Sequence, residues 1–302
     1  MVRCLRHWLP VCVVLIIAGI CPAFAHEVAI ITSREAGPER EVADALLAAD
    51  TRQKLFLAGS AERGIETARL SDGSLMLALG SAAAEAAIAS GRPTLVALVT
   101  ASEFERLRAG VPQARLSAQL INQPPERHLA LIRATVPQAA CTGLLLGPES
   151  RTAERPFAEA AEGSTPAVIA DFAASASTVL PVLERLLGRC GAVLVLPDRV
   201  ISSPTVARAA LLASYRVQRP LFAYSRAWVE AGALAAVFST PATATRDILE
   251  WLDRLESPDK LPPPSLARHF DLAVNARVAR TLNLPVPDAE TLRMALSDGS
   301  LP

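Results

Sequence analysis

Short apolar runs alternate along the chain with stretches that are apolar on one helical face, the pattern of β-strands joined by amphipathic helices. Residues 191–240 show it most clearly. Residues 192–196 (AVLVL) are continuously apolar, as in a parallel strand buried on both faces. Pro197 and Asp198 end that run. Ser203 then stands at an N-cap position with Pro204 at the first helical residue, where a missing N–H costs nothing. Val206, Ala209, Ala210 and Ala213 share one helical face. Arg219-Pro220 stops the helix, residues 221–224 form the next strand, and residues 233–238 a third after Gly232.

The same alternation begins at residues 28–32, followed by a helical stripe of Val42, Ala45, Leu46 and Ala49. Residues 54–58, 75–79 and 94–99 read as strands. Gly80-Ser81 opens an alanine-rich helix to Ala89, and Thr100 to Ser102 start another with Glu103 in its first turn, where the helix dipole favours an acid. Residues 116–121 are extended, Asn122-Gln123-Pro124-Pro125 breaks the chain, and a helix covers 124–136. From Cys141 the pattern restarts, with strands at 143–146 and 167–172 and helices around 155–162 and 179–187. Beyond Thr240 come a helix at 245–255, a proline-rich connector, a strand at 270–274 and helices from Asn275 and at 289–296. The order predicts an α/β protein of two Rossmann-like lobes with parallel sheets. Residues 26–120 plus about 240–265 make the first lobe, and 121–239 plus about 266–302 the second. No Ser/Gly tether separates them, so the strand-like crossings read as a multi-strand hinge.

Composition adds a compartment. Arg3 and Arg6, an apolar stretch at 9–20 and Ala23-Phe24-Ala25 have the form of a signal peptide cleaved after Ala25. The residue before Cys21 is Ile20, which does not suit a lipid anchor, and no other segment is long enough to span a membrane. The expected mature protein is therefore exported and periplasmic. The whole chain balances 30 Lys and Arg against 30 Asp and Glu, so loss of Arg3 and Arg6 leaves a net charge near −2. No basic run interleaves with aromatics, and no nucleic-acid partner is expected. Of five cysteines, Cys141 and Cys190 remain after the leader. Each lies at the start of an apolar run. If those runs are neighbouring strands, a disulfide on the face opposite the ligand crevice is feasible, and two buried thiols are the alternative.

Several motifs, taken in order, resemble one family. These are the 192–198 strand with its Pro-Asp loop, the 220–224 strand, Gly232-Ala233-Leu234, and the tail Leu272-Ala273-Val274-Asn275 followed by Leu282-Asn283-Leu284-Pro285. They are similar to the ABC transporter substrate-binding family of type I periplasmic binding fold, a group that includes tryptophan- and tyrosine-binding lipoproteins. The resemblance implies a protein that closes its two lobes on a small ligand and passes it to an ABC permease in the inner membrane. Presentation of the ligand to a membrane sensor or kinase is the alternative. A monomer with no cofactor is expected, and an enzyme is a second alternative, for which the sequence shows no nucleophile–base arrangement.

In open parallel sheets, ligands bind beyond the carboxyl ends of strands. In the first lobe this selects Ser33, Gly80, Ser81 and Thr100, and in the second Ser150, Asp198, Tyr224 and Ser225. Gly80-Ser81 at a helix start suits a carboxylate, or caps its own helix. Asp198 would pair with an amino group, or closes a turn. Ser81 and Asp198 together would fit an amino acid. There is no G-x-S-x-G elbow, no Walker A sequence and no G-x-G-x-x-G after a strand. His128 and His269 have no metal-ligand spacing.

Overall fold

The structure, a computed structural model, describes residues 26–66, 70–163 and 166–297. The expected leader and its cleavage site lie outside the described residues. Two six-stranded sheets, each with helices on both faces, form two α/β lobes.

The first sheet contains β1 (Glu27–Thr32), β2 (Lys54–Ser60), β3 (Gly64–Ile65), β4 (Leu75–Leu79), β5 (Thr94–Val99) and β6 (Leu116–Leu120). Their spatial order is β3-β2-β1-β4-β5-β6, parallel except for the short antiparallel edge β3. β3 has only two residues and so no hydrophobic alternation to announce it. The helices α1 (Pro38–Ala48) and α9 (Pro241–Asp253) cover one face, and α2 (Ser81–Ala89) and α3 (Ala101–Gly110) the other. The return of α9 to this sheet buries Trp251 and Ile248 completely.

The second sheet contains β7 (Cys141–Leu146), β8 (Ala167–Phe172), β9 (Ala192–Val195), β10 (Leu221–Ala223), β11 (Ala235–Phe238) and β12 (Asp271–Val274), in the order β12-β11-β10-β9-β7-β8. Only β12 is antiparallel. Apart from the antiparallel edge strands, the two lobes share one doubly wound order. The first strand of each lobe lies between its second and its third parallel strand, which creates a switch point at their carboxyl ends. One face of the second sheet holds α6 (Ala176–Arg189), α7 (Pro204–Arg216) and α8 (Arg226–Ala231). The other holds α4 (Pro125–Thr135), α5 (Glu154–Ala161), α10 (Ala276–Thr281) and α11 (Ala289–Ser297).

Cys141 opens β7 and Cys190 caps α6 just before β9, and the two are joined in a disulfide with Cα atoms 4.8 Å apart. Because β7 and β9 are paired neighbours, the link ties their amino ends on the side away from the switch point.

Candidate functional site

A cleft of about 440 Å³ opens where the two sheets present their carboxyl edges to each other. In the first lobe, β5 carries a bulge between Ala97 and Val99, with Leu98 at φ 58°. The bulge brings Thr100 to the cleft as the N-cap of α3. Thr100 Oγ1 accepts from Glu103 N at 3.3 Å, and the Glu103 carboxylate accepts from Thr100 N and Oγ1, both at 2.8 Å. This reciprocal cap satisfies the helix start locally. Ala101 N donates to Asn122 Oδ1 at 2.7 Å, which fixes α3 to the segment leaving β6. Thr100, Ser102, Asn122 and Gln123 therefore line the cleft as one wall.

The opposite wall comes from the loops after β7, β9, β10 and β11. Glu149 and Ser150 lead into a single 3-10 turn at Arg151–Ala153, Tyr224 and Ser225 follow β10, and Phe238 ends β11 with Ser239 after it. Tyr224 shares a hydrogen bond with Ser202, and its ring stands 6.2 Å from that of Trp228. Ser225 caps α8 by accepting from Trp228 N at 3.5 Å. Glu149 takes two hydrogen bonds from Arg199, at 3.0 Å from the backbone and 2.5 Å from Nε.

The candidates taken from the sequence divide into three groups. Thr100, Ser150, Tyr224 and Ser225 come together in the cleft. Ser33, Gly80 and Ser81 line a separate hollow of about 460 Å³ with Arg34, Glu39 and Glu103. There Ser33 Oγ donates to Leu79 O at 3.0 Å and accepts from Ala83 N at 3.1 Å, so it caps α2 from a distance. Gly80 has φ +92°, and a Cβ on it would stand 2.5 Å from Ser33 Oγ. Ser81 donates to Glu103 at 3.1 Å.

Asp198 forms the third group. It is buried beneath the second-lobe wall, and both its oxygens are occupied. Oδ2 accepts from Glu149 N at 2.8 Å, Ser150 N at 3.0 Å and Ser150 Oγ at 3.1 Å, while Oδ1 accepts from Val200 N at 2.9 Å. In this arrangement the carboxylate shapes the 147–150 loop from behind. Gly147 is required there, since a Cβ would lie 2.5 Å from both carboxylate oxygens.

His128, Asn122, Gln123, Phe157, Phe238 and Ser239 also line the cleft and were not among the sequence candidates. Asn122 and Ser239 follow β6 and β11, so the strand-end rule covers them, but those segments read first as hinge crossings. His128 comes from α4, whose helical stripe carries no mark of a site. Its ring packs 5.8 Å from that of Phe157. Burial, together with the charge of Arg127, lowers its pKa from 6.5 to about 3, so it is a neutral imidazole at physiological pH. Among the described residues, no group of three or more His, Cys, Asp or Glu is placed to hold a metal ion.

Two doubly wound lobes, a helix returning across the junction and a cleft between the strand ends define the type I periplasmic binding fold. Comparison with solved structures gives the same class. The chain is similar to the ligand-free, open structure of a substrate-binding protein with adhesive properties from Clostridium difficile. That match has 16% identity, a TM-score of 0.64, and coverage of 88% of this chain and 97% of that one. A conserved domain protein from Vibrio cholerae matches at 16% identity and TM-score 0.57, over 89% and 98% of the two chains. The ABC domain in complex with L-Trp from Streptococcus pneumonia matches at 16% identity and TM-score 0.56, over 87% and 96%. At such identities the likeness is one of fold. No family model and no curated protein matches the sequence.

Proposed function

We propose that this chain is an exported solute-binding protein whose lobes, residues 26–120 with about 240–265 and 121–239 with about 266–302, close on a small ligand. It delivers that ligand to an ABC permease of the inner membrane, acts as a monomer and performs no chemistry. The observation that carries this reading is the cleft of about 440 Å³ at the carboxyl edges of both sheets. Ligand contacts to both walls would stabilise a closed state by their differential affinity for it. Export rests on the leader pattern at residues 1–25, and among the described residues no helix is long and apolar enough to cross a membrane. The pneumococcal structure of similar fold holds L-Trp, which favours a ligand of that size.

The amino-acid reading drew on Ser81 and Asp198. With Ser81 bonded to Glu103 and Asp198 to the 147–150 loop, that pair no longer supports it. The function is tested by thermal-shift screening of the purified protein against amino acids, sugars, nucleosides and organic anions, with small-angle scattering on each hit. A ligand at a hundred times its Kd adds about 2.7 kcal/mol of stability, and closure lowers the radius of gyration. No hit in any class, or conversion of a hit into product, overturns the proposal.

A further inference from the structure

We infer that the cleft selects an uncharged ligand, with an apolar ring face and a hydrogen-bonding edge that meets the imidazole of His128. The inference rests on the binding-protein reading above and adds the ligand class.

Among the described residues no Lys or Arg lines the cleft. Of the cations next to lining residues, Arg127 spends its guanidinium on Gln123 Oε1 at 2.6 Å and on the carbonyls of Ala267 and Arg268 at 3.0 and 2.9 Å, Arg226 lies over Phe238 and pairs with Asp271, and Arg151 lies over Phe172. The one lining carboxylate, Glu149, is held by Arg199. Asp198 accepts four hydrogen bonds from its own lobe, and Glu103 closes the cap of α3. A carboxylate ligand would therefore lack a cation, and an ammonium would lack an unshared carboxylate.

Backbone donors do not make up the deficit. In the first turn of α3 the N–H groups of Ala101 and Glu103 are already bonded, to Asn122 and Thr100. α8 is capped by Ser225. α4 starts at Pro125, which has no N–H. Of these helix starts, α3 leaves the N–H of Ser102 unbonded at the cleft wall, a single neutral donor and not the run of free N–H groups that holds an anion. A charged group that entered such a site would lose its hydration without a partner.

The free polar groups are neutral. His128 is 4% exposed, and among the described residues its ring nitrogens have no hydrogen-bond partner. A buried, unpartnered imidazole at the wall of a cavity can donate from one nitrogen or accept at the other. Beside it, Phe157, Ile121, Leu196, Val237 and Phe238 supply apolar surface. The combination matches a ring compound with one apolar face and a polar edge, such as a nucleoside, a cyclitol or an indole.

The test is isothermal titration of the purified full chain with two sets of probes. Uridine, adenosine, myo-inositol and indole are uncharged, and L-tryptophan, L-leucine, L-glutamate and citrate carry charges. One of the uncharged probes is expected to bind at least about tenfold tighter than every charged one. His128→Phe, which keeps a flat ring against Phe157, is expected to weaken that probe by about tenfold or more, and His128→Gln by less because an edge hydrogen bond remains. If His128→Phe does not fold, His128→Ala is compared with His128→Gln in its place. An amino acid or organic anion as the tightest ligand overturns this inference and leaves the binding-protein reading standing. Equal binding of the uncharged probe by both variants and the parent removes His128 from the site. Failure of every probe to bind at about 1 mM overturns this inference, while the binding-protein reading stands or falls by the thermal-shift screen.

Discussion

Asp198 and His128 are the residues whose positions most change what the cleft can do. Asp198 sits behind a wall, and both its oxygens accept hydrogen bonds from its own lobe. Its removal should therefore act on stability in the absence of any ligand. Asp198→Ala leaves the N–H groups of Glu149, Ser150 and Val200 without acceptors, and the expected loss is on the order of 3 kcal/mol by urea denaturation. Gly147→Ala pushes a methyl group against the same carboxylate and should give a loss in the same direction. Normal stability in both variants would return Asp198 to the list of ligand contacts. His128 makes a separate, pH-dependent prediction. Its folded pKa of about 3 lies below the unfolded value of 6.5, so the unfolded chain binds more protons in this window. The stability it contributes is complete above pH 6.5 and declines as pH falls toward 3. Between pH 7 and pH 5 the histidine alone removes about 2 kcal/mol. His128→Phe should lose less stability than the parent over that interval by this amount. Equal losses would mean that the imidazole is not desolvated.

Among the elements, the strands were legible and the polar connections were not. Runs such as 192–196 are apolar throughout because both faces of a parallel strand are covered, and no solvated element tolerates that pattern. Helix starts were less visible. α9 begins at Pro241 because Thr240 and Thr243 cap it reciprocally, whereas the apolar stripe becomes evident only further along. The roles of Asp198 and Ser33 were hidden for a different reason. Each bonds to residues about fifty positions away, and a carboxylate or hydroxyl after a strand looks the same in sequence whether it faces a ligand or a neighbouring loop. Four of the eight site candidates do line the cleft, because the strand-end rule depends only on topology. The cysteines belong to this scale. Their link closes a loop with a sequence separation of 49 between elements that the sheet already makes neighbours. In the chain-entropy account such a loop is worth about 4 kcal/mol. Cys141→Ala/Cys190→Ala, or reduction of the parent, should lower the unfolding free energy by roughly that amount. The cleft residues lie at the other end of the strands, so the effect on ligand affinity should be small. A large affinity loss at full stability would contradict this division.

At the scale of the whole molecule, the lobes are joined by a hydrogen-bonded seam at the chain crossings. Ser265 pairs with the end of the first sheet, where Leu120 N donates to Ser265 O at 2.8 Å and Ser265 N to Ala118 O at 2.9 Å. Ala267 N then donates to Asn122 O at 3.0 Å. Ser239, on the crossing after β11, binds the crossing after β6, accepting from Gln123 Nε2 at 2.9 Å and donating to Ile121 O at 3.2 Å. Arg127 fastens the seam from the second lobe by binding Gln123 and the carbonyls of Ala267 and Arg268. On the first-lobe side, the backbone N–H groups of Arg268 and His269 donate to buried Asp247 of α9. The crossings thus couple two cores that each have their own sheet and helices, and the coupling is polar and narrow. The parent protein should unfold in one calorimetric transition, because loss of either lobe strips partners from the seam. Arg127→Ala leaves two carbonyls and an amide oxygen without their charged donor, and it cuts the seam where the crossing after β6 meets the one before β12. It should lower the midpoint and broaden or split the transition, with the van't Hoff enthalpy falling below the calorimetric one. Arg127→Lys, which keeps the charge but not the forked geometry, should lie between the two. A single sharp transition in Arg127→Ala would show that the lobes are held together by the chain crossings themselves and not by the guanidinium that binds them.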